Sequence, residues 1–161
     1  MKTSSLPLAV AGLYQKFTLL LDKLQSPFLL CVRLLWGFQF AQSGLGKWRD
    51  IHKVIDFFTG IPIPFPVLNA YLVATVELGG GCLLILGLFS RLTCIPLIIS
   101  MVVAYITTEQ DALHALPKDF DPFLTAAPFL FLFAAMIIFV FGPGKISIDH
   151  LLAKKFKTPV E

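Results

Sequence analysis

Charge is what this sequence is shortest of. Only 10 acidic and 13 basic residues occur among 161, and charged side chains make up 14% of the chain against roughly 25% in soluble domains. Disordered chains are polar and highly charged, so disorder is excluded. A formal net charge of +3, spread along the whole length, gives no basic footprint for a nucleic acid. Cysteine is also scarce. Cys31, Cys82 and Cys94 form no C-x-x-C pair, have no histidine at ligand spacing and sit in apolar runs, where a thiol behaves as a small hydrophobe. No metal site is read from the sequence. Apolar side chains, in contrast, reach 57%, and mean hydropathy is +0.81. A soluble domain this small has too little interior to bury that much. The composition is that of an integral membrane protein.

Four apolar runs cover residues 27–46, 67–89, 92–107 and 123–142. About 20 helical residues cross a hydrocarbon core of about 30 Å. The 16-residue third run is short and holds Pro96, but a short span can thin the bilayer around it. Membrane β-strands alternate apolar and polar over about ten residues, and these runs do not. The fold expected is all-α: a transmembrane four-helix bundle over residues 27–152. Ahead of it, Leu13, Phe17, Leu20, Leu21 and Leu24 share a face opposite Gln15, Lys16, Asp22 and Lys23, so residues 1–26 read as an amphipathic helix at the membrane interface. Residues 153–161 are a basic tail.

Loop charge sets the orientation. Lys2, Lys16, Lys23, Arg91, Lys145, Lys154, Lys155 and Lys157 fall on the side of the termini, and Lys47, Arg49, Lys53 and Lys118 on the other. Basic residues favour the cytoplasm. Both termini are therefore expected there.

Several stretches resemble one family when taken in order. They are Arg33-Leu-Leu-Trp-Gly-Phe-Gln-Phe-Ala-Gln-Ser-Gly44 with Lys47 following, Val54-Ile-Asp-Phe-Phe-Thr-Gly-Ile-Pro62, Glu77-Leu-Gly-Gly-Gly81, Leu86-Gly-Leu-Phe-Ser-Arg91 and Gly142-Pro-Gly-Lys-Ile-Ser-Ile-Asp149. The series is similar to that of the DoxX family of small four-helix membrane proteins. The resemblance implies a four-helix fold in the cytoplasmic membrane. It also implies an association with quinone-linked sulfur or oxidative-stress systems, and leaves open whether the chain catalyses anything itself.

Glu77 lies near the middle of the second run and Arg33 lies within the first. An isolated charge at that depth is costly and marks a polar interior. Counting from the run centres, the two stand about 7 Å apart along the bundle axis, within reach of an arginine, so they are expected to pair. Ala70, Ala74, Glu77 and Gly81 share one helical face, and Arg33, Gly37, Phe40, Gly44 and Lys47 make the matching stripe. Arg33, Glu77 and Lys47 are the candidate polar pocket. A quinone, as an apolar ring with carbonyl oxygens, would sit by Arg33, Trp36, Phe38, Phe40 and Glu77. The alternative readings are a register-fixing ion pair in a non-enzymatic anchor for a soluble enzyme, and a small-solute carrier. The expected partners are the bilayer and, on the redox reading, soluble enzymes or other membrane subunits, with a homo-oligomer left open. Ser43-Gly-Leu-Gly-Lys47 and Gly142-Pro-Gly-Lys145 lack the spacing of a phosphate loop.

Overall fold

The structure, a computed structural model, describes residues 6–156. Lys2 and Lys157, both counted in the charge asymmetry, lie outside them. Eight helices occur among the described residues, with no strand. Helix α1 spans Leu6–Arg49, α2 Ile51–Thr59, α3 Pro66–Leu86, α4 Ser90–Thr108, α5 Gln110–Ala115, α6 Asp121–Thr125, α7 Ala127–Phe141 and α8 Ile148–Lys155. The long helices α1, α3, α4 and α7 pack in a closed ring: α1 on α3, α3 on α4, α4 on α7, and α7 back on α1. This is the expected all-α four-helix bundle.

The boundaries differ from the run lengths in instructive ways. Residues 6–49 form one continuous helix with Pro27 inside it, so the amphipathic segment prolongs the first span. Its face of Leu13, Phe17, Leu20 and Leu24 is exposed. The third span is longer than its apolar run, 19 residues with Pro96 accommodated. The fourth is shorter, because the helix breaks at Ala126, whose backbone is extended. Pro128 explains this: it has no N–H for the carbonyl four residues earlier, and its ring clashes with that carbonyl. What remains is a 15-residue helix, about 22 Å long.

The α1–α3 contact is built on missing side chains. A Cβ on Gly44 would overlap the backbone of Leu78, and one on Gly81 would overlap the backbone of Ala41. The two helices therefore touch main chain to main chain, with Ala70, Ala74 and Phe40 fully buried along the seam. Small residues give this close approach between membrane helices. The expected stripe is the observed one.

Helix α2 was not anticipated. Ile51, Val54, Ile55 and Phe58 recur at helical spacing and are its half-buried face, which packs on α3.

Candidate functional site

Lys47 stands on the last turn of α1 and Glu77 in the middle of α3. The Lys47 ammonium donates to Glu77 Oε2, and also to Ser43 Oγ at 2.8 Å, one turn back on its own helix. The Glu77 side chain is 4% exposed and that of Lys47 26%. The lysine stem thus lies along the helix and carries its charge inward from the bundle end. An interior carboxylate needs such a partner.

The pair sits in the wall of a cavity of about 570 Å³. Apolar side chains dominate the lining, with Phe57 and Phe58 of α2, Val73 of α3, Met101 of α4 and Phe131 of α7 around Lys47 and Glu77. Helix α2 and the prolines of the following loop, Pro62 and Pro64, line this end. A large apolar hollow with a few convergent polar groups is the usual form of a small-molecule site.

The expected Arg33–Glu77 pair does not form. Arg33 is 1% exposed and, among the described residues, bonds only to backbone carbonyls. Its Nε donates to Leu84 O at 2.9 Å and its Nη2 to Ile85 O at 3.1 Å, while Nη1 donates to Pro143 O at 2.6 Å and Ile146 O at 2.9 Å. Because α1 and α3 run antiparallel, Arg33 meets the C-terminal end of α3. Glu77 lies eight residues before Ile85, about 12 Å along the axis. Of the three candidates for one pocket, Lys47 and Glu77 meet and Arg33 belongs to a separate cluster.

That second cluster joins three of the family-like stretches. Helix α3 ends at Gly87, φ +67°, with Gly87 N donating to Leu84 O and Leu88 N to Leu83 O, the paired bonds of a Schellman turn. A Cβ on Gly87 would collide with the Arg33 guanidinium and with Ser147. Arg33 covers the outgoing carbonyls, where the helix dipole is negative. Asp149 closes the other half of the turn: its carboxylate accepts from Phe89 N at 2.7 Å and Ser90 N at 2.9 Å, while its own N–H donates to Gly87 O. Ser147 caps α8 by accepting from His150 N.

Trp36 and Phe40 stand behind the cavity and do not line it. Both meet Phe131 edge-on, with ring centroids at 5.2 and 4.7 Å, and Phe131 carries the contact to the cavity wall. Phe38 is 59% exposed on the outer surface. Among the described residues, no three His, Cys, Asp or Glu gather at metal-binding distance.

The chain is 33% identical over 138 residues, 80% of its length and 83% of the relative's, to an uncharacterized membrane protein of Mycobacterium tuberculosis. It is 28% identical over 125 residues, 78% of its length and 87% of the relative's, to CatD of Bacillus subtilis, whose name proposes an oxidoreductase. An uncharacterized protein of Haemophilus influenzae is 26% identical over 134 residues, 81% of this chain and 86% of that one. No solved structure matches it. The profile of the DoxX family matches residues 28–110, which take in the Arg33, Lys47 and Glu77 positions and the turn at Gly87, and the chain belongs to the DoxX family.

Proposed function

We propose that this DoxX-family protein is an accessory or subunit of a quinone-linked redox system in the cytoplasmic membrane, and that the Lys47–Glu77 cavity receives the quinone head group. The observation that carries this reading is a single ion pair set into an apolar, aromatic hollow of about 570 Å³. That volume falls in the 300–1,000 Å³ range of small-molecule sites. The residues fit the group: the Lys47 ammonium offers a donor to a carbonyl oxygen, Glu77 holds the ammonium in place, and Phe131 and Met101 pack the ring. A bound quinone supplies two-electron, two-proton chemistry, and its electrons come from a partner. The name of the Bacillus relative agrees with a redox setting.

Two arms test the reading. Lipid extraction of the purified full chain should yield quinone at near one-to-one stoichiometry. In Lys47→Met, which keeps the length and removes the donor, binding of a short-chain ubiquinone should weaken about tenfold, the loss of one charged hydrogen bond of about 1.4 kcal/mol. Unchanged binding in Lys47→Met would remove the cavity from the proposal. A stable soluble companion without any quinone would favour the anchoring role instead.

The orientation proposed with it has both termini in the cytoplasm, following the basic residues of the terminal side. Once Cys31, Cys82 and Cys94 are replaced, a membrane-impermeant thiol reagent applied to intact cells should label Lys118→Cys and spare Lys155→Cys. The reverse pattern would invert the topology.

A further inference from the structure

At the end of the bundle opposite Lys47, beside the Arg33 cluster, lies a second cavity of about 420 Å³. Its wall includes Ser26 of α1, Ser90 and Arg91 at the start of α4, and Lys145, Asp149 and His150. Of these charges only Asp149 is negative, and both of its carboxylate oxygens are already engaged by Phe89 N and Ser90 N. The Arg91 guanidinium lies over Gly142 and, among the described residues, makes one long bond, Nη2 to Val140 O at 3.3 Å. The Lys145 ammonium has no partner among the described residues, although its backbone N–H donates to Ser26 Oγ at 3.1 Å. Ser90 is fully buried, and its Oγ is the one buried side-chain polar atom without a partner among the described residues. A buried hydroxyl left unbonded is costly, and its residue is part of the lining of this basic hollow.

The surroundings specify which anion fits. Phe89, Leu92 and Phe141 flank the same hollow and are 60%, 65% and 59% exposed. They stand where α4 begins and α7 ends, so a basic mouth opens onto an apolar outer face at the level of the helix termini. A soluble anion has no use for that apolar border. A glycerophospholipid does, because its phosphate lies at the helix ends and its acyl chains run down the helices. The positive end of α4 is already met by the Asp149 carboxylate, so the attraction rests on Arg91 and Lys145.

We propose that this cavity is a binding site for the phosphate of an anionic glycerophospholipid, with Arg91 and Lys145 supplying the charge and the Ser90 hydroxyl a hydrogen bond. The site is independent of the quinone reading, since it shares no residue with the Lys47–Glu77 cavity.

The test uses the full chain in nanodiscs of phosphatidylcholine with and without phosphatidylglycerol. It follows thermal stability, and then the lipid retained after transfer to detergent by native mass spectrometry. One phosphatidylglycerol should be retained in preference to phosphatidylcholine, and phosphatidylglycerol should raise Tm. Arg91→Gln and Lys145→Gln should each weaken retention about fivefold, the effect of one basic residue near an anionic lipid, and Lys118→Gln at the other end should not. Lys145→Gln breaks no side-chain bond among the described residues, so it reads the site even if Arg91→Gln unfolds. Ser90→Ala should weaken retention while leaving stability in phosphatidylcholine intact or improved. Equal retention of the two lipids, unchanged retention in Lys145→Gln, or protection by inorganic phosphate as strong as that by phosphatidylglycerol would overturn the proposal.

Discussion

Arg33→Met should destabilise the bundle strongly. The variant keeps most of the apolar stem and deletes the donors that serve the carbonyls of Leu84, Ile85, Pro143 and Ile146. Leu84 O retains its bond from Gly87 N. The other three lose the guanidinium in a site that is 1% exposed at Arg33. A buried acceptor without a donor costs about 1–3 kcal/mol, so the loss should be on the order of 4 kcal/mol or more. Arg33→Lys should recover less than half of it, because an ammonium is a compact charge and cannot spread its donors across both sides of a turn as the planar fork does. Thermal unfolding in detergent, followed by circular dichroism, measures both. An Arg33→Met variant that melts within a degree or two of the parent would show that the carbonyls find other donors and that the cluster is not what holds this end together.

A smaller but sharper result is expected at Lys47 and Glu77. Lys47→Met leaves a carboxylate that is 4% exposed in an apolar wall with no cation beside it. Breaking a fully buried pair costs about 3–5 kcal/mol. Lys47 is a quarter exposed, so about 2–3 kcal/mol is expected after allowing for solvent. Glu77→Gln should cost about 1 kcal/mol, because the freed ammonium keeps Ser43 and can withdraw toward the bundle end. The double variant should be more stable than Lys47→Met alone, giving a coupling energy of about 1–2 kcal/mol. The parallel cycle between Arg33→Lys and Glu77→Gln should add to within about 0.5 kcal/mol, as it does for sites that share no partner. Coupling in the second cycle and none in the first would make Arg33, not Lys47, the partner of Glu77.

The sequence carried the long helices and their inner seam openly. Run length against bilayer thickness pointed to four spans, of which α1, α3 and α4 are long and apolar enough to cross a membrane while α7 is a shorter apolar helix. The spacing of Ala70, Ala74, Glu77 and Gly81 against Gly37, Phe40 and Gly44 found the α1–α3 contact. The partner of Glu77 was not legible, because two cations lay within nominal reach of one carboxylate. Centring each apolar run in the membrane favoured Arg33. Helix α1 instead continues to Arg49, which brings Lys47 onto the inner stripe with a side chain long enough to reach back. Arg33's true partners were invisible for a different reason. Every residue offers a carbonyl, so nothing in the side-chain pattern marks the four that a buried guanidinium will collect. Two misses did have a signal: the period of Ile51, Val54, Ile55 and Phe58 for α2, and Pro128 for the early end of the helical run before α7.

The 15 residues of α7 fall about 8 Å short of a 30 Å hydrocarbon core, while α3 and α4 come close to it. The apolar girdle of the bundle is therefore uneven around its circumference. With α7 set across a bilayer, the two leaflets would pinch toward each other along that flank, at a fraction of a kcal/mol for every ångström. Ala127, Pro128 and Phe131 belong to that flank and also form a side of the larger cavity. Elastic strain in the surrounding lipid would then bear on the wall of the hollow. Stretching or thickening the membrane changes the load on this wall before any ligand arrives, which makes acyl-chain length a physical variable of the protein in its own right.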